Sequence, residues 1–203
     1  MQGQLWIVAA PSGGGKTSLI AEAVRVLDDV VESVSHTTRA ARPGEIEGVH
    51  YFFVAPGEFQ AMIDADGFLE YAQVFHNAYG TAAASVDALL AAGKDVILSI
   101  DWQGAQQVMR RRPETRTVFL LPPSLDVLRE RLTTRGQDNA AVVAQRMAEA
   151  EEQISHYREF EFVIVNADFR RAASELQALI TSDRLRRARR EADLQPLLKR
   201  LGQ

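Results

Sequence analysis

The chain has 203 residues, with 23 Lys+Arg against 27 Asp+Glu for a net charge of −4, and it contains no cysteine. That length fits one domain with small insertions, and 46% hydrophobic with 25% charged residues is globular rather than disordered composition. The lack of cysteine excludes disulfide scaffolds, zinc-thiolate sites and thiol nucleophiles, and no apolar run reaches the roughly 18 residues of a membrane span.

No basic leader precedes the first apolar stretch, so a soluble cytoplasmic protein is expected. The basic residues are 20 Arg and only 3 Lys, and residues 184–203 hold seven of them against two Asp/Glu, leaving −9 for residues 1–183. An acidic body argues against a nucleic-acid partner. The basic tail reads as a solvated helix face rather than an interaction arm. A homo-oligomer is compatible with this composition.

In chain order, Leu5–Ala10 is a Val/Ile-rich run closed by Pro11 and three glycines, the pattern of a buried strand entering a loop. A helix follows from Lys16 to about Leu27. From Val30 to Tyr79 the chain changes character: short runs (Val34–Thr38, Val49–Val54, Phe68–Phe75) lie between Arg-Pro-Gly, Pro-Gly and Asp-Gly turn signals, with one helix near Pro56–Ala65. A helix over Ala82–Ala92 ends at Gly93, a good left-handed cap residue. Asp95–Asp101 and Thr115–Leu121 read as buried strands around a helix at Trp102–Arg112. Ser124 is placed to cap the next helix, and a further helix covers Ala140–Tyr157. Phe162–Asn166 is a last strand before one long helix from Phe169 to Arg190. Strands alternating with helices predict an α/β fold with a mainly parallel sheet.

Ala10-Pro11-Ser12-Gly13-Gly14-Gly15-Lys16-Thr17 matches the phosphate-loop pattern except at its first position, where Ala10 replaces Gly. Glycines let successive backbone N–H groups turn toward an anion, and the following helix adds its positive dipole end. Lys16 is expected to reach the β- and γ-phosphates of a nucleoside triphosphate, and the Thr17 hydroxyl to ligate Mg²⁺. Ala10 costs little if its φ is negative.

The β-rich segment concentrates anion and base ligands. Arg39 and Arg42 flank a rigid Pro-Gly turn and suit a phosphate monoester. Tyr51 and Tyr79-Gly80-Thr81 supply hydroxyls. Glu70, among apolar neighbours, is either exposed on an edge or committed to a partner. Its carboxylate can accept the two N–H donors of a guanine edge, although these residues alone exclude neither adenine nor the pyrimidines. Asp101, at a strand end, suits either metal support or the N-cap of the Trp102 helix. Arg131 and Arg135, four apart, project from one helix face, and Arg146 lies on the next helix.

Ser35-His36-Thr37-Thr38-Arg39 with Arg42-Pro43-Gly44-Glu45, His50-Tyr51-Phe52-Phe53, Asn77-Ala78-Tyr79-Gly80-Thr81 and Asp101-Trp102-Gln103-Gly104-Ala105 resemble the signature blocks of the guanylate kinase family. The resemblance runs over about residues 3–182 in unbroken order. It implies a P-loop nucleoside monophosphate kinase fold: a parallel-sheet core (1–34, 82–125 and 160–183), a GMP-binding insertion (35–81), a lid of about 126–159, and a basic helical tail (184–203). It implies Mg²⁺-dependent transfer of the ATP γ-phosphoryl group to GMP, and to dGMP, in purine nucleotide metabolism.

By the same resemblance, Lys16, Arg131, Arg135 and Arg146 act in catalysis. ATP binds residues 10–17 with Ser18 and Asn166. GMP binds Ser35, Arg39, Arg42, Tyr51, Glu70, Tyr79, Gly80, Thr81 and Asp101, and the metal is served by Thr17 and by Asp101 through water. The family often carries an acidic residue two positions before Asp101, where this chain has Ser99, so Asp101 is expected to be the principal carboxylate near the metal. The other readings are a phosphate-loop kinase for a different monophosphate or sugar phosphate, and a non-catalytic interaction module.

Overall fold

A computed structural model describes residues 2–74, 76–134 and 140–202. The elements in chain order are β1 (Leu5–Ala9), α1 (Lys16–Val26), β2 (Val30–Glu32), β3 (His36–Thr37), β4 (Phe52–Phe53), α2 (Pro56–Asp64), β5 (Phe68–Val74) and β6 (Asn77–Ala82). They continue with α3 (Ala83–Ala91), β7 (Asp95–Ser99), α4 (Trp102–Arg111), β8 (Arg116–Leu121), α5 (Leu125–Thr134), α6 (Ala140–Ser155), β9 (Phe162–Val165), α7 (Phe169–Arg184) and α8 (Arg187–Arg200).

Five strands form a parallel sheet in the order β2-β7-β1-β8-β9. β1 lies at its centre and is buried along its whole length, which is why it reads as a continuous apolar run rather than an alternating one. Its side chains still divide by face, as a strand's must. Trp6 and Val8 pack with Leu19, Ile20, Leu176 and Ile180 beneath α1 and α7. Ile7 and Ala9 pack with Val86, Leu98, Ala105 and Val108 beneath α3 and α4. Each fully buried side chain of this size contributes about 1.5–3 kcal/mol, so the two layers hold the strand ends rigidly. Gly93, at φ +81°, ends the α3 turn as expected.

Four further strands form a smaller sheet in the order β4-β3-β6-β5, covered by α2, whose Phe59 stacks on Phe68 at 4.5 Å. This sheet is joined to α4. The Gln107 side chain accepts from Tyr71 N–H at 3.2 Å and donates to Tyr71 C=O at 3.0 Å, and Arg111 pairs with Asp66 at 2.7 Å. α5 and α6 pack through Leu128, Leu132, Met147 and Ala150. Ser124 caps α5 by accepting from Val127 N–H at 3.2 Å. No helix among the described residues is long and apolar enough to cross a membrane.

Three expectations need correction. Val30–Glu32, which the chain-order reading joined to the β-rich segment while the resemblance put residues 1–34 in the core, is the edge strand of the main sheet. The long helix stops at Arg184, and the chain runs extended at Arg186 before α8 begins. The tail is also not merely a solvated face. Arg184 and Arg189 donate to the buried Asp95 at 2.7 and 2.6 Å, and Arg189 also pairs with the buried Asp183 at 2.8 Å. Two buried carboxylates at the base of the sheet demand cations, and the break in the helix lets residues on both sides of it converge there.

Candidate functional site

Residues 10–17 wrap a cavity of about 300 Å³ between the end of β1 and the start of α1. Gly15 is the N-cap of α1 at φ +92°, a left-handed conformation that side chains resist. A Cβ there would also strike the Asn166 amide, which donates to Gly14 C=O at 2.8 Å. Outside glycine, Asp29 and Asp66 alone among the described residues have positive φ, so Ala10 carries its Cβ without strain.

Lys16 Nζ donates to Ile100 C=O at 2.9 Å, drawing the ammonium toward the end of β7. Burial lowers its pKa from 10.5 to about 8, against the opposing pull of Asp101, Glu32 and Glu70. A half-buried cation at the start of α1 is poised for an anion, whose charge would restore its proton affinity.

A second cavity of about 480 Å³ adjoins the loop, between Gly13, Gly15 and Ser18 on one side and Arg131, Asn166 and Phe169 on the other. Arg131 donates one Nη to Asn166 C=O at 3.0 Å, while its buried Nη1 has no hydrogen-bond partner among the described residues. An orphaned guanidinium N–H is costly, and a ligand phosphate or ribose oxygen would satisfy it. Arg146 lies on α6 next to the Met147 that packs α6 against α5. Arg135 and residues 136–139 lie outside the described residues.

On the small sheet, Glu70 is buried and accepts from the Thr81 hydroxyl at 2.5 Å across the β5–β6 pair. Of the two fates open to this carboxylate, the committed one is found. Burial raises its pKa, with Asp101 adding to the effect and Thr81 opposing it. Gly104 of α4 packs directly on it, since a Cβ at that position would lie 3.0 Å from Glu70 Oε2. Gly80 is buried against Phe68 in the same hairpin.

Arg39 is gripped by Glu45 through paired contacts of 2.7 and 3.0 Å, and its guanidinium lies 5.5 Å from the Tyr51 ring centre. The Arg39 hydrogen bonds hold the Glu45 carboxyl well below its usual range, at about 2. Tyr51 and Tyr79 meet edge to face at 5.9 Å, and the Arg42 side chain stands exposed beyond them. The phosphate-binding candidates therefore gather at one rim, with Arg39 already fixed in direction by a carboxylate partner.

Of the two roles expected of Asp101, the structure shows the helix N-cap. It caps α4 by accepting from Gly104 N–H at 2.8 Å, and it lies close enough to Lys16 to act on its charge. Ser35, Tyr51, Thr17, Ser99 and Glu32 share a cavity of about 340 Å³ between the loop and the small sheet. Glu32 was not singled out from the sequence. Desolvation at the cavity wall raises its pKa, and the facing Ser99 hydroxyl and Lys16 stabilise its charged form. Phe169, exposed in the second cavity, was also missed. A lone Glu at the end of a three-residue strand and an apolar residue opening a helix give no local signal.

Among the described residues no three His, Cys, Asp or Glu side chains gather into a metal cage. Thr17 and Glu32 line one cavity, and the Glu32 and Asp101 carboxylates both act on the Lys16 charge, so the nearby donors are all oxygen. That suits a hard cation such as Mg²⁺ whose shell is completed by phosphates and water.

A cradle for phosphate thus faces a hairpin carrying a buried carboxylate and a rim of Arg and Tyr, and known proteins match this arrangement. The family model for guanylate kinase matches residues 2–183. The chain is 52% identical over 201 residues to guanylate kinase of Alkalilimnicola ehrlichii, covering 99% of each. It is 50% identical over 201 residues to that of Hahella chejuensis, covering 97% of each. The crystal structure of guanylate kinase from Anaplasma phagocytophilum superposes with a TM-score of 0.72 at 31% identity, covering 93% of this chain and 89% of that one. With the match running through phosphate loop, hairpin and sheet alike, the chain belongs to the guanylate kinase family.

Proposed function

We propose that the chain is an ATP:GMP phosphotransferase, moving the γ-phosphoryl group of ATP to GMP, and to dGMP, to give ADP and GDP. The observation that carries this is the buried Glu70–Thr81 pair lying against Gly104 of α4, the helix that Asp101 caps beside Lys16. One helix thereby relates a seat for a base to a cradle for phosphate.

In this reading Glu70 accepts the guanine N–H donors while Ser35 and Thr81 complete base recognition. Arg39, Arg42, Tyr51 and Tyr79 hold the GMP phosphate. That phosphate has its second pKa near 6, so it is dianionic at neutral pH and needs no general base. One of its oxygens attacks the γ-phosphorus, the bond from that phosphorus to the β–γ bridging oxygen breaks, and the bridging oxygen leaves on ADP. Backbone N–H groups of residues 10–18 and the Lys16 ammonium hold the β- and γ-phosphates in line with the acceptor. Arg131, Arg135 and Arg146, on the helical lid, stabilise charge on the transferring group, and Asn166 supports the nucleoside end. Thr17, and Asp101 through water, would hold Mg²⁺, which would neutralise negative charge on the triphosphate. We further infer a role in purine nucleotide metabolism in the cytoplasm.

The intact Lys16-Thr17 pair in a formed cradle argues against a non-catalytic module. The test is ADP release with GMP, dGMP, AMP, UMP and dTMP as acceptors. Turnover is expected with GMP and dGMP at least a hundredfold above the others, and equal or greater turnover with AMP or a pyrimidine overturns the assignment.

A further inference from the structure

Glu32 ends the edge strand β2, in register with Ile97 of the parallel neighbour β7, two residues short of Ser99. Its carboxylate and the Ser99 hydroxyl face each other on a wall of the 340 Å³ cavity that Thr17 also lines. The end of β7 thus offers a hydroxyl to this cavity, and the neighbouring strand brings a carboxylate to the same place.

The charge arithmetic of this corner is informative. Asp101, Glu32 and Glu70 all act on the single ammonium of Lys16. A triphosphate entering the adjacent cradle adds several more negative charges. Like charges at such range repel strongly outside bulk water, so a carboxylate on the cavity wall opposes the ligand the loop is built for. A divalent cation between carboxylate and phosphates reverses the sign. Glu32 is solvent-accessible, which leaves room for the water shell that Mg²⁺ keeps.

We propose that Glu32 is a positioning residue for the metal of the reaction, accepting hydrogen bonds from water bound to the ion that Thr17 ligates, with Ser99 orienting its carboxylate. The inference rests on the phosphotransferase reading above. Partners of this kind typically govern metal affinity by 10–100-fold, without contacting the ion themselves.

The test is a titration of the protein saturated with ADP by Mn²⁺, with free Mn²⁺ read by electron paramagnetic resonance. Glu32→Gln is expected to weaken Mn²⁺ by at least tenfold while ADP affinity measured without metal holds or rises, since a repelling charge is removed. The Mg²⁺ concentration giving half-maximal rate should rise in parallel, with the KM for GMP unmoved. Returning the carboxylate from the adjacent strand, as Glu32→Val with Ser99→Asp, should restore Mn²⁺ affinity. Parent-like Mn²⁺ affinity in Glu32→Gln overturns the proposal. So does an effect confined to the KM for GMP, which would assign the carboxylate to the acceptor. The titration contains no GMP, so an error in the acceptor assignment would show in ADP release by the parent and leave the metal result readable.

Discussion

Raising the pH from 7 to 9 should disarm the free protein toward ATP through one group. Lys16 is anchored to Ile100 C=O at 2.9 Å, and burial lowers its pKa from 10.5 to about 8. A group with that pKa is about nine-tenths protonated at pH 7 and about one-tenth at pH 9. Only the ammonium form complements the β- and γ-phosphates, so kcat/KM for ATP should fall about tenfold over those two units and a further decade per unit above. Bound phosphates raise the proton affinity of Lys16, so kcat at saturating ATP should hold across the same range. The assay is steady-state ADP release with ATP varied at saturating GMP, in overlapping buffers of constant ionic strength. Lys16→Arg, whatever its absolute rate, should lose the falling limb, because guanidinium does not titrate there. The sign for stability is opposite. A lowered amine pKa penalises the charged folded state, so stability should rise as pH climbs from about 8 toward 10.5 in the ligand-free protein. A kcat/KM that stays flat to pH 10, or an unchanged fall in Lys16→Arg, would refute the reasoning.

Glu70→Gln should raise the KM for GMP at least tenfold with little change for ATP. It should also raise the Tm by a few degrees, because an uncharged amide escapes the desolvation cost that lifts the carboxyl pKa; kinetics and thermal denaturation on one preparation check both. Gly104→Ala places a methyl 3.0 Å from Glu70 Oε2 and should weaken GMP while leaving ATP binding within twofold, measured by calorimetry for each nucleotide. Arg189→Ala leaves Asp95 and Asp183 each short of a cation and should cost about 2 kcal/mol, a Tm fall of about 4–8 °C, with both KM values unchanged.

The phosphate loop was legible because every device it uses is local: glycines, Lys16, Thr17, an apolar strand before and a helix after. The main-sheet strands β1, β7 and β8 were equally plain, since double-sided burial leaves uninterrupted apolar runs. β2 was not, because three residues carry no period and its partner lies more than sixty positions downstream. β6, Asn77–Ala82, hides its strand character behind small and polar residues that are there to approach Phe68 and Glu70. Among site residues, Glu45 was quoted within a motif, but its grip on Arg39 required the fold of the turn. Glu32 required knowledge of which strand lies beside Ser99. The break at Arg186 answers to Asp95, ninety positions earlier, which no window around the helix contains.

The attachment of the small sheet to α4 has a mechanical consequence. Gln107 and Arg111 bind Tyr71 and Asp66 at the β5 edge, so that edge travels with the main sheet. The far edge, β3 and β4 with the Arg39–Tyr51 rim, joins the main sheet through the short link from β2, where Ser33 N–H donates to Ile97 C=O at 3.0 Å. A rotation of the small sheet about its α4 attachment would move the Arg39 side further than the Glu70 side. On the proposed function, the guanine seat would belong to the frame and the phosphate clamp to the moving jaw. An acceptor that missed the seat would then fail to bring its phosphate under the clamp, and selectivity for the base would become a condition for alignment rather than a separate check.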